Sequence, residues 1–232
     1  MNIAVVLAGG SGLRLGNDQP KQFLKVAGKK VIEHTIEAFE SAKNIDEICI
    51  VSRIDYIHEV ENLVINNGYK KVKKILAGGK ERYDSSLAAI NAYTNNDDNL
   101  LFHDAVRPLI TERIIDDCIK ALQQYNAVDV AVKTTDTIIQ VNTTQCINNI
   151  PNRNELYNGQ TPQGFKRGTI AKAYELALQD PNFITTDDCG TVRRYLPDEP
   201  IYVVNGENFN MKLTYVEDLF LLDKLFQLKS LH

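Results

Sequence analysis

Residues 2–21 of the chain read NIAVVLAGGSGLRLGNDQPK, and this stretch decides the fold. Asn2–Ala8 is almost wholly apolar, as is typical of a strand buried on both faces of a parallel sheet. Four glycines, at positions 9, 10, 12 and 16, follow the strand. Successive glycines let backbone N–H groups approach an anionic ligand closely. Parallel sheets bind ligands at the carboxyl ends of their strands, so the stretch predicts a phosphate-binding loop there.

Strand and helix patterns alternate from this stretch to residue 132, which predicts an α/β fold. The predicted strands are Asn2–Ala8, Ile45–Val51, Lys71–Ala77, Asn99–Phe102 and Ala127–Val132. The predicted helices are Val31–Ala42, Tyr56–Asn66, Asp84–Tyr93 and Thr111–Tyr125. This order is typical of a mostly parallel sheet with helices on both faces.

The alternation stops after Val132. Lys133–Asn158 contains two short strand-like pieces around a turn rich in Asn and Thr, which favours a protruding β-hairpin arm. Further helices are predicted at Lys166–Leu178, Asp188–Tyr195 and Tyr215–Leu228, and further strands at Ile201–Val204 and Met211–Leu213. Because no linker or repeat is present, we expect residues 1–232 to form a single domain with an arm at about 133–158.

Composition excludes several classes of protein. Apolar residues make up 44% and charged residues 24% of the 232, which argues against a disordered or fibrous chain. The net charge of -4 argues against a nucleic-acid partner. The longest apolar run, Ile3–Gly10, is far too short to span a membrane. Four scattered cysteines without a C-x-x-C pair predict reduced thiols in a cytoplasmic protein.

The glycine loop matches neither of two common phosphate-binding motifs. A P-loop needs a Gly-Lys pair after its second glycine, and a dinucleotide fingerprint needs G-x-G-x-x-G, for which Gly16 comes one place too late. The loop also carries two cations, Arg14 and Lys21. Cations beside a glycine loop suit a nucleoside triphosphate, whose transferred phosphoryl group must be neutralised. A plain glycine turn with two solvated cations is the alternative.

Five motifs in register narrow the interpretation. The first is L-A-G-G-x-G-x-R followed by P-K-Q, which looks like the signature of the sugar-nucleotide pyrophosphorylases. The other four are HDAVRP (103–108), GQTPQGF (159–165), TDD (186–188) and NMKLT (210–214). Together they resemble the polyol-phosphate cytidylyltransferases, which join CTP to ribitol 5-phosphate or to 2-C-methyl-D-erythritol 4-phosphate and release pyrophosphate. The resemblance implies a Rossmann-like α/β fold.

The resemblance also implies a set of site residues. Three cations would hold the reacting phosphates as catalytic residues: Arg14, Lys21 and Lys212. The nucleotide would contact Leu7, Ala8, Gly9, Gly10, Gly12, Gly79, Ser85 and Asp104. The acceptor would contact Asp104, Thr137, Arg153, Thr186 and Asp187. Asp104 would also help to hold Mg²⁺, the expected cofactor.

The arm predicts a homodimer, because its apolar residues Ile138, Ile139 and Ile147 are most simply buried against a second copy. The resemblance adds that Arg153 would complete the partner's site. For the acceptor, AGG at 8–10, the valine of HDAVRP, GQTPQ and Tyr157 look more like the ribitol-phosphate branch. 2-C-methyl-D-erythritol 4-phosphate is the alternative acceptor.

Two other functions remain open on the residues alone. A nicotinamide oxidoreductase would share the sheet, and NADH rather than CTP would then raise its melting temperature. A non-catalytic nucleotide-binding module would bind CTP without releasing pyrophosphate.

Overall fold

The computed structural model describes residues 1–10 and 19–229. Two predicted site residues, Gly12 and Arg14, lie outside the described residues. Within the described residues, no helix is long and apolar enough to cross a bilayer.

Eleven strands and seven α-helices are described. The strands are β1 (Asn2–Ala8), β2 (Lys25–Val26), β3 (Lys29–Lys30), β4 (Glu47–Ser52), β5 (Val72–Ala77), β6 (Asn99–Asp104), β7 (Ala127–Lys133), β8 (Gln140–Val141), β9 (Ile147–Asn149), β10 (Tyr157–Lys166) and β11 (Ile201–Asn205). The helices are α1 (Val31–Ser41), α2 (Ile57–Asn67), α3 (Arg82–Ala92), α4 (Glu112–Ala121), α5 (Arg167–Ala177), α6 (Asp188–Tyr195) and α7 (Glu217–Lys229).

Seven strands form the central sheet in the order β11-β7-β10-β6-β1-β4-β5. β10 pairs antiparallel with both β6 and β7, whereas the other pairings in this sheet are parallel. The predicted mostly parallel sheet is therefore confirmed. The sequence pattern does not indicate β10, because its glycines and Pro162 are residues that a strand usually avoids.

The side chains of β1 alternate between two hydrophobic cores, one on each face of the sheet. Ala4, Val6 and Ala8 pack with residues of α1, α2 and α4. Ile3, Val5 and Leu7 pack with residues of α3, α5 and α6. Burying one such branched aliphatic side chain contributes about 1.5–3 kcal/mol, so a strand apolar at every position is stable only between two helix layers. The predicted helices on both faces are confirmed.

The arm and one predicted strand differ from expectation in detail. β8 and β9 form a separate two-stranded hairpin, shorter than predicted, and residues 135–150 are all exposed. The predicted strand at Met211–Leu213 is wrong. The Leu213 N–H donates to the Val106 carbonyl at 2.9 Å, in the loop after β6. A loop offers no ladder of partners, so the segment stays irregular.

Candidate active site

A cleft of about 860 Å³ lies at the carboxyl ends of β1, β4, β5 and β6, where the sequence predicts the phosphate site. Two glycine-containing loops line it, after β1 and after β5. The charged residues that line the cleft are five basic and three acidic ones: Lys21, Arg53, Lys80, Arg82, Lys212, Asp55, Glu81 and Asp104. The predicted site residues that line this cleft are Leu7, Ala8, Gly9, Gly10, Lys21, Gly79, Ser85, Asp104 and Lys212.

The two glycine loops approach the start of α3 too closely for larger side chains. A Cβ on Gly9 would lie 3.0 Å from the Ser85 hydroxyl oxygen, and one on Gly78 would overlap that oxygen. A Cβ on Gly79 would lie 2.5 Å from the Asp84 side chain. This wall of the cleft therefore presents mainly backbone and the Ser85 side chain.

Lys21 enters the cleft from a short 3₁₀ turn, Lys21–Phe23, that follows Pro20. The buried Gln22 side chain fixes this turn against the glycine loop by donating to the Ala8 carbonyl at 2.7 Å. The Lys21 ammonium donates to the Leu213 carbonyl at 2.9 Å. Two segments 192 residues apart thus bring Lys21 and Lys212 to one cleft.

Asp104 is a buried carboxylate surrounded by cations. Its Oδ2 lies 2.9 Å from the Lys212 ammonium and 3.4 Å from Arg107 Nε. Burial alone would raise the pKa of Asp104, but Lys212, Arg82 and Arg107 together hold it well below its usual range. Asp104 is therefore ionised at neutral pH and fixes Lys212 in the cleft.

The loop after β6 is braced from β10. The Asp104 N–H donates to the Thr161 hydroxyl at 3.2 Å, and His103 Nδ1 lies 2.9 Å from the same oxygen. Arg107 donates to the Asn210 carbonyl at 2.8 Å. Burial lowers the pKa of His103 to about 4, so its ring is neutral at pH 7. His103 is thus a structural part of the site.

A second cleft of about 310 Å³ shares Glu81 and Arg82 with the first. It is lined by Thr186 and Asp187, both predicted acceptor contacts, in the segment between α5 and α6. The Asp187 carboxylate caps α6 by accepting from the Gly190 N–H at 2.6 Å. Its other oxygen accepts from Gln163 Nε2 at 3.1 Å.

Thr137 and Arg153, the predicted arm residues, are exposed and line neither cleft within one chain. Arg153 donates to the Thr135 carbonyl at 3.3 Å, inside the arm. A single chain therefore does not bring them to the other predicted acceptor contacts.

Three residues of the site are missed by sequence reasoning: Arg82, Gln163 and Asp188. Arg82 and Asp188 form an ion pair with an N–O distance of 2.6 Å across 106 positions. A contact between residues so far apart along the chain produces no recognisable pattern in the local sequence. The available signal is that Gln163 and Asp188 lie inside the GQTPQGF and TDD motifs.

The fold and this cleft define the class, an α/β nucleotidyltransferase. The chain belongs to the 2-C-methyl-D-erythritol 4-phosphate cytidylyltransferase family, whose model matches residues 2–227. This membership confirms the resemblance of the five motifs, and it sets aside a nicotinamide oxidoreductase.

Relatives with two different acceptors are similar to the chain. The bifunctional ribulose 5-phosphate reductase/CDP-ribitol pyrophosphorylase Bcs1 of Haemophilus influenzae is 49% identical over 99% of the chain, which spans only 49% of that relative. The 2-C-methyl-D-erythritol 4-phosphate cytidylyltransferase of Thermobifida fusca is 43% identical over 97% of the chain and 92% of the relative. The crystal structure of 4-diphosphocytidyl-2C-methyl-D-erythritol synthase from Anaerococcus prevotii superposes with a TM-score of 0.86 at 32% identity, covering 97% of the chain and 96% of that structure.

Proposed function

We propose that the chain transfers CMP from CTP to a polyol phosphate and releases pyrophosphate. The observation that carries this proposal is the meeting of Lys21 and Lys212 beside a glycine-lined wall. Lys212 is held there by a buried, ionised Asp104 at 2.9 Å. A polyanion with developing charge at phosphorus is the ligand that such an arrangement stabilises.

The reaction requires positioning rather than a protein nucleophile. An acceptor phosphate oxygen forms a bond to the α-phosphorus of CTP, while the bond from that phosphorus to the bridging oxygen breaks and pyrophosphate leaves with the electron pair. Lys21 and Lys212 would stabilise the charge on the reacting phosphates. We assign the same task to Arg14 on the basis of the motif.

The protein would recognise the nucleotide mainly through close contacts with its backbone. The Gly78–Gly79 loop and Ser85 would receive the base, and Asp104 would contact the ribose or the metal. A pocket this tight favours a pyrimidine over a purine. CTP should therefore be the preferred nucleotide.

Magnesium fits this site as a companion of the nucleotide. No group of three or more acidic, histidine or cysteine residues within the described ranges could hold a metal. Asp104 offers one carboxylate, and Mg²⁺ is commonly bound through one or two carboxylates plus substrate phosphates. The ion would neutralise triphosphate charge, with Asp104 as its protein ligand.

For the acceptor we propose ribitol 5-phosphate. The support comes from the 49% identity to a protein named CDP-ribitol pyrophosphorylase and from the ribitol-like motif details. 2-C-methyl-D-erythritol 4-phosphate is the second candidate, favoured by the family description and by a 43% identical relative. Thr186 and Asp187 would contact the polyol in the second cleft.

We also propose a homodimer formed through the arm, with Thr137 and Arg153 completing the partner's acceptor site. Five large aliphatic side chains of the arm are exposed: Ile138, Ile139, Val141, Ile147 and Ile150. Burying them against a second copy would remove this apolar surface from water. The guanidinium of Arg153 suits an acceptor phosphate. The free cysteines favour a cytoplasmic location.

The test is pyrophosphate release measured with Mg²⁺, a panel of nucleoside triphosphates and a panel of polyol phosphates. We expect CTP to exceed ATP and GTP, with UTP the nearest competitor, and ribitol 5-phosphate to have the highest kcat/KM. Comparable turnover of ATP would reject the cytidylyl assignment. Preference for 2-C-methyl-D-erythritol 4-phosphate would reject only the acceptor.

A further inference from the structure

We propose that Arg82 and Asp188 form a positioning strut that holds the acceptor-binding segment, Thr185–Asp187, at a fixed place relative to the nucleotide cleft. The inference rests on the proposed transfer reaction and assigns a role to two residues outside the predicted site. In-line attack requires the acceptor phosphate to lie close to the α-phosphorus. The two clefts must therefore keep a fixed separation.

Arg82 stands where the two clefts meet. It is the first residue of α3, directly after the loop that contains Gly78 and Gly79, and it lines both clefts. Its guanidinium donates to Asp188 Oδ2 at 2.6 Å. The nucleotide wall and the acceptor segment are thus joined by one short ion pair.

Asp188 is the buried end of this pair. It is the first residue of α6 and immediately follows Asp187, which lines the second cleft. Its side chain is completely buried, and its second oxygen accepts from the Tyr174 hydroxyl at 2.7 Å. A buried carboxylate without partners is strongly unfavourable, so the Asp188 side chain is held in contact with Arg82 and Tyr174.

Gln163 of β10 links the same segment to the sheet. Its oxygen accepts from the Asp188 N–H at 3.1 Å, and its amide nitrogen donates to the Asp187 carboxylate at 3.1 Å. The beginning of α6 is therefore held by α3, α5 and β10 at once. Of the three side chains that make these links, Arg82 is the one that itself lines the nucleotide cleft.

Electrostatics keep this link charged. Burial lowers the pKa of Arg82, but Asp188 raises it above its usual value. The field of Arg82 also helps to hold the pKa of Asp104 low. The Arg82 guanidinium therefore stays protonated across the pH range in which the cleft carries its anionic substrates.

The experiment is a double-mutant cycle on three variants: Asp188→Asn, Arg82→Met and the double variant. For each, kcat/KM for the polyol phosphate is measured beside the Kd of CTP by calorimetry and the melting temperature. The matched control is Arg194→Met. Arg194 lies on α6 like Asp188, and this variant removes the ion pair that its exposed guanidinium makes with Asp180, in the segment between α5 and α6. This control should leave all three quantities close to wild type.

We expect Asp188→Asn to lower kcat/KM for the acceptor by about 10- to 100-fold, since a displacement near 1 Å has effects of that order. The Kd of CTP should change by less than about threefold. The kcat/KM of the double variant for the acceptor should be no lower than that of Asp188→Asn, because the two substitutions break the same contact. In Arg82→Met the buried Asp188 carboxylate loses its cation, which should destabilise the fold. The double variant no longer contains this carboxylate.

Three outcomes would overturn the strut. A double variant far worse than Asp188→Asn would mean that Arg82 contacts a substrate itself. A lower melting temperature with unchanged acceptor kcat/KM would make the pair purely structural. Parallel losses in CTP affinity and in kcat/KM for the acceptor would mean that the ion pair supports the whole site rather than the acceptor segment alone. If the wild-type protein turns over no polyol phosphate, the proposed function itself fails and the strut fails with it.

Discussion

The proposed site has a nucleotide wall and an acceptor wall, and the two are built in opposite ways. The nucleotide wall consists of backbone after β1 and β5 and of Ser85, so it needs little beyond glycines at the carboxyl ends of neighbouring parallel strands. The proposed acceptor wall presents the side chains of Thr186 and Asp187, and Gln163 of β10 holds Asp187 in place by a hydrogen bond. The first wall should be sensitive to a Cβ added at Gly9, Gly78 or Gly79, and the second to the loss of single hydrogen bonds.

The largest effect should come from the cation on the nucleotide side. Lys21→Ala should lower kcat by about 10²–10³-fold, as loss of one electrostatic donor to a transition state typically does. Steady-state pyrophosphate release measures it, with the exposed Lys25→Ala as the matched control. A Lys21→Ala enzyme with nearly normal kcat would contradict the assigned role.

The next prediction asks whether the acceptor wall extends into a second chain. Lys21→Ala and Arg153→Ala should each be almost inactive as homodimers. Co-refolded at equal amounts, half of the dimers are mixed, and each mixed dimer has one intact site. Activity should then recover to about a quarter of wild type.

The mixing experiment gives a different result if Arg153 serves the site of its own chain. If Arg153 acts within its own chain, every site carries a defect and mixing restores nothing. Native mass spectrometry would establish that mixed dimers are present. Their presence without recovered activity would contradict the shared site.

A smaller effect is expected at the close contact of the nucleotide wall. The added Cβ of Gly78→Ala overlaps the Ser85 hydroxyl, so Ser85 must rotate and KM for CTP should rise by about tenfold, or about 1.4 kcal/mol. Ser85→Ala removes the overlapping oxygen. The double variant should therefore have the KM of Ser85→Ala alone. A further rise in KM on adding Gly78→Ala to Ser85→Ala would show that the overlap is not the cause.

The smallest effect concerns Asp129, a half-buried acid that lies behind the proposed acceptor wall. Asp129 accepts from Gln163 Nε2 at 3.2 Å, and burial raises its pKa to about 6. The folded state therefore binds more protons than the unfolded state between about pH 4 and 6, so the free energy of unfolding falls as the pH rises through this window. At pH 7 the whole cost of the buried charge is present.

Asp129→Asn keeps the acceptor for Gln163 and removes this charge. It should raise the free energy of unfolding by about 1–3 kcal/mol at pH 7 and change it little at pH 4. Urea denaturation at the two pH values measures the difference, with Asp97→Asn as the exposed control. An equal change at both pH values would contradict the role of the charge.

Prediction from the sequence succeeds for the parallel strands that carry the nucleotide wall and fails for the elements that hold the acceptor wall. β1 was predicted with its observed bounds, because a strand buried on both faces is apolar at every position. The parallel order up to β7 followed from alternating periodicities. β10 was missed, since the pattern of GQTPQGF does not indicate a strand. Arg82 and Asp188 were missed because their partnership depends on where α3 and α6 meet.

β10 has a consequence for the order in which the chain can fold. It is the strand that joins β6 to β7, so until residues 157–166 arrive β7 has no neighbour on that side and β6 keeps an open edge. β11, the other neighbour of β7, comes later still. Open edges of this kind pair with other chains, and late long-range pairing slows folding. A nascent chain that ends within the arm therefore exposes one edge of β6 and both edges of β7 to other chains, and β10 covers the edge of β6 and one edge of β7 when it inserts between them.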